Sequence, residues 1–381
     1  MATEHKTFTL FTFLTVLLVG LTSVMARPSY DNEAMKGAYF PSWAQNFTPS
    51  SIKTELFTHI YYAFLTPNNI TFKFNIEHSE AIQLVNFTST LREKNPSVKI
   101  LFSVGGAAEG PVLFSRMASS PSSRMSFIFS SIEVARKFRF DGIDLDWEFP
   151  QTPGDMVNLA HLLHEWRLEV QKEAESTSRP PLLLSAAVYY SADTFLSGPE
   201  RAYPSVSVSK NLDWINVMNY DYYGAWNTTA TGAQAALFDP ESNLSTSYGL
   251  GSWIRAGVPR SKLIMGLPLY GRTWQLKDPM SHGIGAPAID VGPGPDRTGV
   301  LTFAEVVEFN RERKAKRVYD MATVSVYSVT GDLWVGYDDP KTVTVKIGYA
   351  RNLGLRGYFF WAVNGDYKWK ISKTASKLWS L

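Results

Sequence analysis

The sequence Asp-Gly-Ile-Asp-Leu-Asp-Trp-Glu-Phe-Pro occupies residues 141–150 of this 381-residue chain. Apolar residues alternate in it with Asp144, Asp146 and Glu148, and a period of two predicts a β-strand with one apolar and one acidic face. Side chains on the same face of a strand lie about 6–7 Å apart. Three carboxylates at that spacing repel one another, and retaining protons among them relieves the repulsion. The stretch therefore favours a catalytic site over a scaffold strand.

Two other interpretations of the acidic stretch are a chance cluster and a Ca²⁺ site. The chain contains 35 Asp and Glu residues, so such a spacing can arise by accident. A calcium site would take oxygen ligands from a flexible, glycine-containing loop, whereas an apolar residue fills every second position here. His161 and His164 lie one helical turn apart, but their spacing is not that of His-Glu-x-x-His and the sequence has no cysteine cluster. We expect no metal site and no cofactor.

Short β-rich apolar runs recur along the chain, with amphipathic segments between them. Eight strands that alternate with helices over roughly 350 residues predict an α/β fold, the (β/α)8 TIM barrel. The predicted strands lie at Gly37–Phe40, His59–Leu65, Val98–Val104, Gly142–Glu148, Leu182–Val188, Trp214–Tyr220, Leu263–Leu267 and Gly357–Trp361.

The connection between the seventh and eighth predicted strands is too long for one helix. About 90 residues separate them, whereas most connections take only a few residues. Residues 273–336 contain strand-like pieces and a helical pattern near Phe303–Arg313, which together predict a small α+β insertion between strands 7 and 8. We therefore expect the barrel to comprise residues 27–272 and 337–381.

The N-terminus resembles a secretory signal. A weakly positive start at His5 and Lys6 precedes an apolar stretch over 8–20, and small residues stand before and at Ala26, which predicts a signal peptide at 1–26. Secretion would make the Asn-x-Ser/Thr sequons N-glycosylation candidates. These are Asn46, Asn69, Asn86, Asn227 and Asn243. We expect a protein that is secreted to the cell exterior or the vacuole, with no membrane span in its mature form.

The composition narrows the function further. The chain has no cysteine, which removes thiol chemistry and thiolate metal sites, and its length allows a sufficient core without disulfides. A net charge of +2 gives no reason to expect nucleic-acid binding. Aromatic residues make up 14% of the chain, and rings that are not core residues can stack on the apolar faces of sugars. We expect one large domain that acts as a monomer.

Polar and glycine residues mark several predicted strand ends. In such barrels the catalytic groups lie at the C-terminal ends of strands and in the loops that follow. Ser103-Val-Gly105-Gly106 closes the third strand, where glycines allow close backbone approach. Met218-Asn-Tyr220-Asp221 closes the sixth strand and Trp361 closes the eighth.

These motifs resemble those of glycoside hydrolase family 18, in the family's order and over the whole mature chain. The inserted segment and the sequences around Leu182–Tyr190 and Asn211–Trp214 look most like plant class V chitinases. The motifs are the acidic run, the Ser-x-Gly-Gly and Met-x-Tyr-Asp sequences, Gly266-Leu-Pro-Leu-Tyr-Gly-Arg-Thr-Trp274, Trp334-Val-Gly-Tyr-Asp-Asp339 and Trp361.

The resemblance implies catalytic roles for four residues. The N-acetyl oxygen of the substrate would be the nucleophile, as in substrate-assisted glycosidases. Glu148 would be the general acid and then the base, with a pKa raised by its acidic neighbours. Asp146 would orient the acetamido N–H, Asp144 would share a proton with it, and Tyr220 would donate to the acetamido carbonyl. An ordinary barrel tyrosine is the alternative for Tyr220.

The remaining site residues follow from the same resemblance. Trp361 would be the floor on which the sugar stacks, and a core tryptophan is its alternative. Plain packing is the alternative for most of the further pocket residues, and Asp141 would brace the strand end. The predicted substrate-binding residues are Trp361, Met218, Asp221, Tyr39, Phe64 and Arg272, and the predicted structural residues at the site are Asp141, Ser103, Gly105 and Gly106.

The function that this resemblance implies is a secreted, endo-acting chitinase. It would hydrolyse β-1,4 bonds of N-acetylglucosamine polymers and oligomers with retention of configuration, and it would need no cofactor. One alternative is a chitinase-like lectin that binds the same glycans with little or no cleavage, since a fold alone does not decide function. Another is a hydrolase specific for lipochitooligosaccharide signals.

Overall fold

The structure is a computed structural model that describes residues 34–193, 195 and 198–380. The predicted signal peptide, 1–26, lies outside these residues. Among the described residues the strands are β1 Met35–Pro41, β2 His59–Leu65, β3 Lys99–Gly105, β4 Gly142–Asp146, β5 Leu183–Val188, β6 Trp214–Val217, β7 Leu263–Pro268, β8 Tyr270–Leu276, β9 Ala288–Val291, β10 Val300–Thr302, β11 Lys316–Asp320, β12 Ser325–Thr330, β13 Leu333–Tyr337 and β14 Gly357–Trp361.

Eight of these strands close into a parallel barrel. Its order is β1-β14-β7-β6-β5-β4-β3-β2, and every neighbouring pair is parallel. The barrel strands are almost wholly buried, as expected for parallel strands that are covered on both faces. The predicted α/β fold is therefore confirmed. Two strands end earlier than predicted, β4 at Asp146 and β6 at Val217. After β6 the chain turns tightly, and the Asn219 N–H donates a hydrogen bond to the Val217 carbonyl.

Helices pack around the barrel, apart from the helix at Phe303–Glu312, which contacts β8 and β10. Their starts follow local sequence signals: at α4, for example, Thr152 and Asp155 form a reciprocal capping box and Pro153 occupies the first turn. The helices are α1 His78–Lys94, α2 Val112–Ala118, α3 Pro121–Lys137, α4 Pro153–Thr177, α5 Ser205–Asn211, α6 Thr246–Arg255, α7 Phe303–Glu312, α8 Pro340–Leu353 and α9 Lys370–Trp379.

The core has two parts that the strand alternation produces. Outward-facing side chains such as Phe102 and Leu145 pack against the helices. Inward-facing aromatic and aliphatic side chains such as Tyr61, Trp214 and Phe359 fill the barrel itself, which is therefore a packed core and not a channel.

A second, antiparallel sheet follows β7. Its order is β10-β8-β13-β12-β11, with β9 paired to β8, and its own cluster of buried rings includes Trp274, Tyr327 and Trp334. The sheet begins at Tyr270 and ends at Tyr337, so β8 runs across the predicted boundary between residues 272 and 273. The exact domain boundaries stay a prediction.

No helix in the described part of the chain is long and apolar enough to cross a membrane.

Candidate active site

Asp144 lies at the centre of a buried hydrogen-bond network inside the barrel. Strand register sets Ser103 of β3 and Ser185 of β5 directly beside it. The Ser103 hydroxyl donates to Asp144 Oδ2 at 2.7 Å and the Ser185 hydroxyl to Oδ1 at 2.6 Å. Tyr39 Oη donates to Oδ2 at 2.8 Å and Asn216 Nδ2 to Oδ1 at 3.3 Å. Four neutral donors therefore surround one carboxylate.

The pKa of Asp144 reflects two opposing effects. Burial raises it above its usual value, and the hydrogen bonds from Ser185, Ser103, Tyr39 and Asn216 oppose that rise because they stabilise the charged form. The network can thus hold a negative charge on Asp144 without a cation beside it.

Asp146 and Glu148 form the next two steps of the acidic face. Asp146 is buried, and its pKa is raised well above the usual range, first by burial and then by the charges of Glu148 and Asp144. The Asp146 and Glu148 side chains share a hydrogen bond, which two carboxyl groups can form only with a proton between them. Burial and then the charge of Asp221 raise the pKa of Glu148 to about 7. A carboxyl group with that pKa can give and take a proton near neutral pH.

The end of β3 closes over these two acids. Gly105 has φ +110°, and a Cβ there would lie 2.3 Å from the Asp146 carbonyl oxygen; Gly106 has φ +86°, and its Cβ would lie 2.4 Å from the Phe64 ring. Neither position has room for a larger residue. The Gly106 N–H donates to the Asp146 carbonyl at 2.9 Å, and the Ala107 N–H donates to the Glu148 carboxylate. Both glycines thus let the backbone approach the acids.

The loop after β6 brings Tyr220 and Asp221 to the same side. Burial raises the pKa of Tyr220 well above its usual value, with added contributions from Tyr270 and from the charges of Asp146 and Glu148; its phenol therefore stays protonated and can donate a hydrogen bond. Asp221 accepts two hydrogen bonds from Arg272 on β8, at 2.6 and 2.8 Å.

Aromatic side chains line the opening of the barrel. The Trp361 ring lies 5.6 Å from Phe64, which it stacks on, and 5.5 Å from Tyr39. Trp43 continues this row: it stacks on Phe64 at 6.0 Å and is 60% exposed. Met218 is buried among the inward-facing residues of the barrel. A cleft of about 330 Å³ runs beside the row, bordered by Trp43, Asp221, Tyr270, Arg272 and Trp361 among others.

The predicted residues therefore divide into two groups. The structure brings thirteen of the predicted catalytic, substrate-binding and structural residues together. Twelve lie at the C-terminal ends of the barrel strands or just inside them, and Arg272 on β8 joins them through its ion pair with Asp221. Asp141 lies at the opposite end of β4, where it forms an ion pair with Arg92 at 2.9 Å and accepts from the Ile100 N–H at 2.8 Å. The sequence-predicted sequons Asn46, Asn69, Asn86, Asn227 and Asn243 are all exposed.

Sequence reasoning missed four residues of the site. Ser185 and Asn216 were placed in predicted strands, and a polar residue within an apolar run was the available signal. Trp43 follows the first strand, and Trp226 lies 5.0 Å from the Arg272 guanidinium; both are exposed tryptophans, but exposure is not readable from sequence. Within the described residues no group of three or more His, Asp or Glu side chains is arranged to hold a metal ion.

Comparisons with known proteins match this geometry. Residues 36–366 match the family model of glycosyl hydrolases family 18. The chain is 52% identical to Nod factor hydrolase protein 1 of Medicago truncatula. The alignment spans 352 residues and covers 91% of this chain and 90% of that protein.

Two solved structures have the same fold. A class V chitinase from Nicotiana tobaccum, in complex with NAG4, has a TM-score of 0.87 and 40% identity and covers 92% of this chain and 99% of that chain. A chitinase-like agglutinin from Robinia pseudoacacia has a TM-score of 0.83 and 40% identity and covers 91% of this chain and 100% of that chain. The predicted resemblance to plant class V chitinases is confirmed.

Proposed function

The chain belongs to glycosyl hydrolase family 18 and is a glycoside hydrolase, and we propose that it is an endo-acting chitinase with substrate-assisted, retaining catalysis. Its substrates would be β-1,4-linked N-acetylglucosamine polymers and oligomers. The observation that carries the proposal is the acidic series at the end of β4, in which Asp146 is hydrogen-bonded to Glu148 just beyond the strand and burial, with the charge of Asp221, raises the pKa of Glu148 to about 7. The complex of the tobacco chitinase with NAG4 supports the class of substrate.

In the first step Glu148 donates its proton to the glycosidic oxygen. The bond between that oxygen and the anomeric carbon breaks while the acetamido carbonyl oxygen of the same sugar attacks the carbon, which gives a cyclic oxazolinium ion. Asp146, turned to the acetamido N–H, orients the group and stabilises the positive charge that develops on it. Tyr220, whose phenol stays protonated, positions the attacking carbonyl.

In the second step Glu148 is the base. Its carboxylate takes a proton from water, and the resulting hydroxide adds to the anomeric carbon on the face that the leaving group had occupied. The bond between the anomeric carbon and the acetamido oxygen then breaks and the oxazolinium ring opens. Two inversions give net retention of configuration. Asp144 shares the proton of Asp146 through the cycle, since its four neutral donors tolerate either charge state.

A hydrolase specific for lipochitooligosaccharide signals is the second candidate. The observation in its favour is the 52% identity to a Nod factor hydrolase. The same acids would act in both cases, because the mechanism requires only a 2-acetamido group; comparing cleavage of the free oligomer with that of an N-acylated oligomer separates the two. The similarity to a chitinase-like agglutinin supports the lectin alternative, and the experiment below therefore measures binding as well as cleavage.

We further propose that the protein is secreted as a monomeric glycoprotein, to the cell exterior or the vacuole. The N-terminal signal pattern and the exposure of all five sequon asparagines support this. An endoglycosidase-induced mass shift of protein collected from the medium of expressing cells tests it.

The decisive experiment compares wild type with Glu148→Gln on N-acetylglucosamine hexamer, following product formation, anomeric configuration and binding. The variant keeps the size of the side chain and removes the proton donor, so we expect kcat to fall by about 10²- to 10⁴-fold while the hexamer still binds. Glu175→Gln, at an exposed position of α4, is the matched control and should retain wild-type kcat. Binding without cleavage by wild type would make the protein lectin-like, and inverted products would exclude the mechanism.

A further inference from the structure

Two segments of the chain meet at one wall of the cleft. The loop after β6 presents Asp221, whose charge raises the pKa of Glu148. Strand β8 presents Tyr270 and Arg272, which are two residues apart and so project from the same face of the strand; both border the cleft. The partly buried Arg272–Asp221 ion pair joins the segments at the cleft. The position of Asp221 relative to Glu148 therefore depends on how these segments are held together.

Gln234 connects the same two segments from behind. Its carbonyl oxygen accepts a hydrogen bond from the Tyr222 N–H at 3.0 Å, directly after Asp221. Its side-chain Nε2 donates to the Tyr270 carbonyl at 2.7 Å. The residue is 2% exposed, so both bonds are shielded from water. The backbone bond does not depend on the side chain, whereas the Tyr270 carbonyl would be left unsatisfied without the glutamine amide. One residue thus fixes the β6 loop to β8, two positions from Arg272.

The amide of Gln234 is used on one side only. Its Oε1 has no hydrogen-bond partner within the described residues, so the fold uses the N–H donor and the length of the side chain. The backbone of Asp221 also requires support. It has φ +60°, in the left-handed region, and a residue other than glycine keeps this conformation only where its surroundings fix it. The bond at the next residue, Tyr222, supplies that constraint.

We propose that Gln234 is a positioning residue for catalysis: it holds the Asp221 loop against β8 and so sets the distance of the Asp221 carboxylate from Glu148. This inference rests on the proposed chitinase function. It assigns to a fully buried side chain, which touches neither substrate nor the reacting atoms, an effect on the pH dependence of the reaction. The effect passes through Asp221, and removing Asp221 should therefore abolish it.

The test is a double-mutant cycle of Gln234→Met with Asp221→Asn, measured as the pH profile of kcat/KM on N-acetylglucosamine hexamer. Gln234→Met keeps the volume and removes the donor. We expect kcat/KM just above pH 7 to fall severalfold, by no more than in Asp221→Asn, since the effect passes through the Asp221 charge. The alkaline limb should move to lower pH, as it does when a negative charge moves away from the acid. In the Asp221→Asn background the further loss should be under about twofold.

Gln275→Met is the matched control. Gln275 is also a glutamine at the second sheet, on β8, and donates to Asp332 Oδ2 at 2.8 Å, but it does not reach the β6 loop. Its loss should leave kcat/KM and the pH profile unchanged. An equal effect of Gln275→Met, or effects of Gln234→Met and Asp221→Asn that simply multiply, would overturn the proposal.

Two further measurements separate the causes of failure. If Gln234→Met does not fold, Gln234→Leu, which is also uncharged and lacks the N–H donor, takes its place in the cycle and should give the same coupling. Wild-type turnover of the hexamer reports on the proposed function alone. An active wild type with no coupling overturns the role of Gln234 and leaves the chitinase function standing, whereas an inactive wild type overturns the function on which the role rests.

Discussion

Asp144 and Asp338 are both almost completely buried carboxylates, but they are neutralised in different ways. Asp338 directly follows β13, an inner strand of the second sheet, and pairs with Lys346 of α8 at 2.6 Å; both side chains are 2% exposed. Burial raises the pKa of Asp338 and lowers that of Lys346, and their mutual attraction opposes both shifts. Asp144, inside the barrel, instead takes hydrogen bonds from hydroxyl and amide groups.

The difference separates a structural charge from a chemical one. A cation beside a buried carboxylate fixes its charge, since either partner alone would be a costly buried ion. Hydroxyl groups can rotate and donate or accept as the carboxyl group gains or loses a proton, so Asp144 can change its protonation with Asp146 next to it. We infer that the same residue type serves stability at one site and proton handling at the other.

The substitution Asp338→Asn should have the largest effect, and on stability. It leaves the Lys346 ammonium buried without a counter-charge, so we expect the free energy of unfolding to fall by about 3–5 kcal/mol. The substitution leaves in place the hydrogen bonds of Gln234, which connect the β6 loop to β8, so kcat of the folded fraction should stay within about twofold of wild type. Denaturant-induced unfolding and hexamer turnover measure the two quantities.

Asp296→Asn provides the control for this substitution, because Asp296 is exposed and should lose little stability. A change of under about 1 kcal/mol in Asp338→Asn would mean that the Lys346 pair carries no net stabilisation, and the contrast with Asp144 would disappear.

The same substitution at Asp144 should act on the reaction instead. Asp144→Asn removes a charge and a proton acceptor beside Asp146, and we expect kcat to fall by about 10²-fold. The surrounding hydroxyls can reorient toward the amide, so the free energy of unfolding should fall by less than about 2 kcal/mol. Parallel unfolding and turnover measurements check both. A stable variant with wild-type kcat would show that Asp144 is only a core residue.

The sequence predicted the acidic face of β4 because strand alternation is a local property: Asp144 and Asp146 share a face of the strand, and Glu148 follows two residues beyond its end. It also predicted the barrel from eight apolar runs. Asp141, which was expected to brace the strand end, pairs with Arg92.

The partners of these acids could not be predicted in the same way. Ser185 lies beside Asp144 only because β4 and β5 pair in one register, and a shift of one residue would turn it away. Gln234 depends on a meeting of two loops and β8, which no local pattern encodes. The pairing of Asp338 with Lys346 could be guessed from their separation of eight residues, but its burial depends on the packing of α8 against the loop at Ala235.

Asp221→Asn should produce the smallest change and sharpen the contrast, because Asp221 is a charge that tunes the site from outside the acidic series. Glu148 must be protonated to act as the acid, so kcat/KM should fall as the pH rises through about 7, the pKa to which burial and Asp221 raise it. Removing the Asp221 charge takes away one cause of the increase and leaves the Arg272 cation unpaired, and both effects lower the pKa of Glu148. The alkaline limb should therefore move to lower pH, with a severalfold loss of kcat/KM at pH values just above 7 and little change below 6.

Asp193→Asn, whose carboxylate lies elsewhere at a partly exposed ion pair, should leave the profile in place. A limb that does not move in Asp221→Asn would mean that burial alone sets the pKa of Glu148, and the proton handling would then belong entirely to the residues of β4.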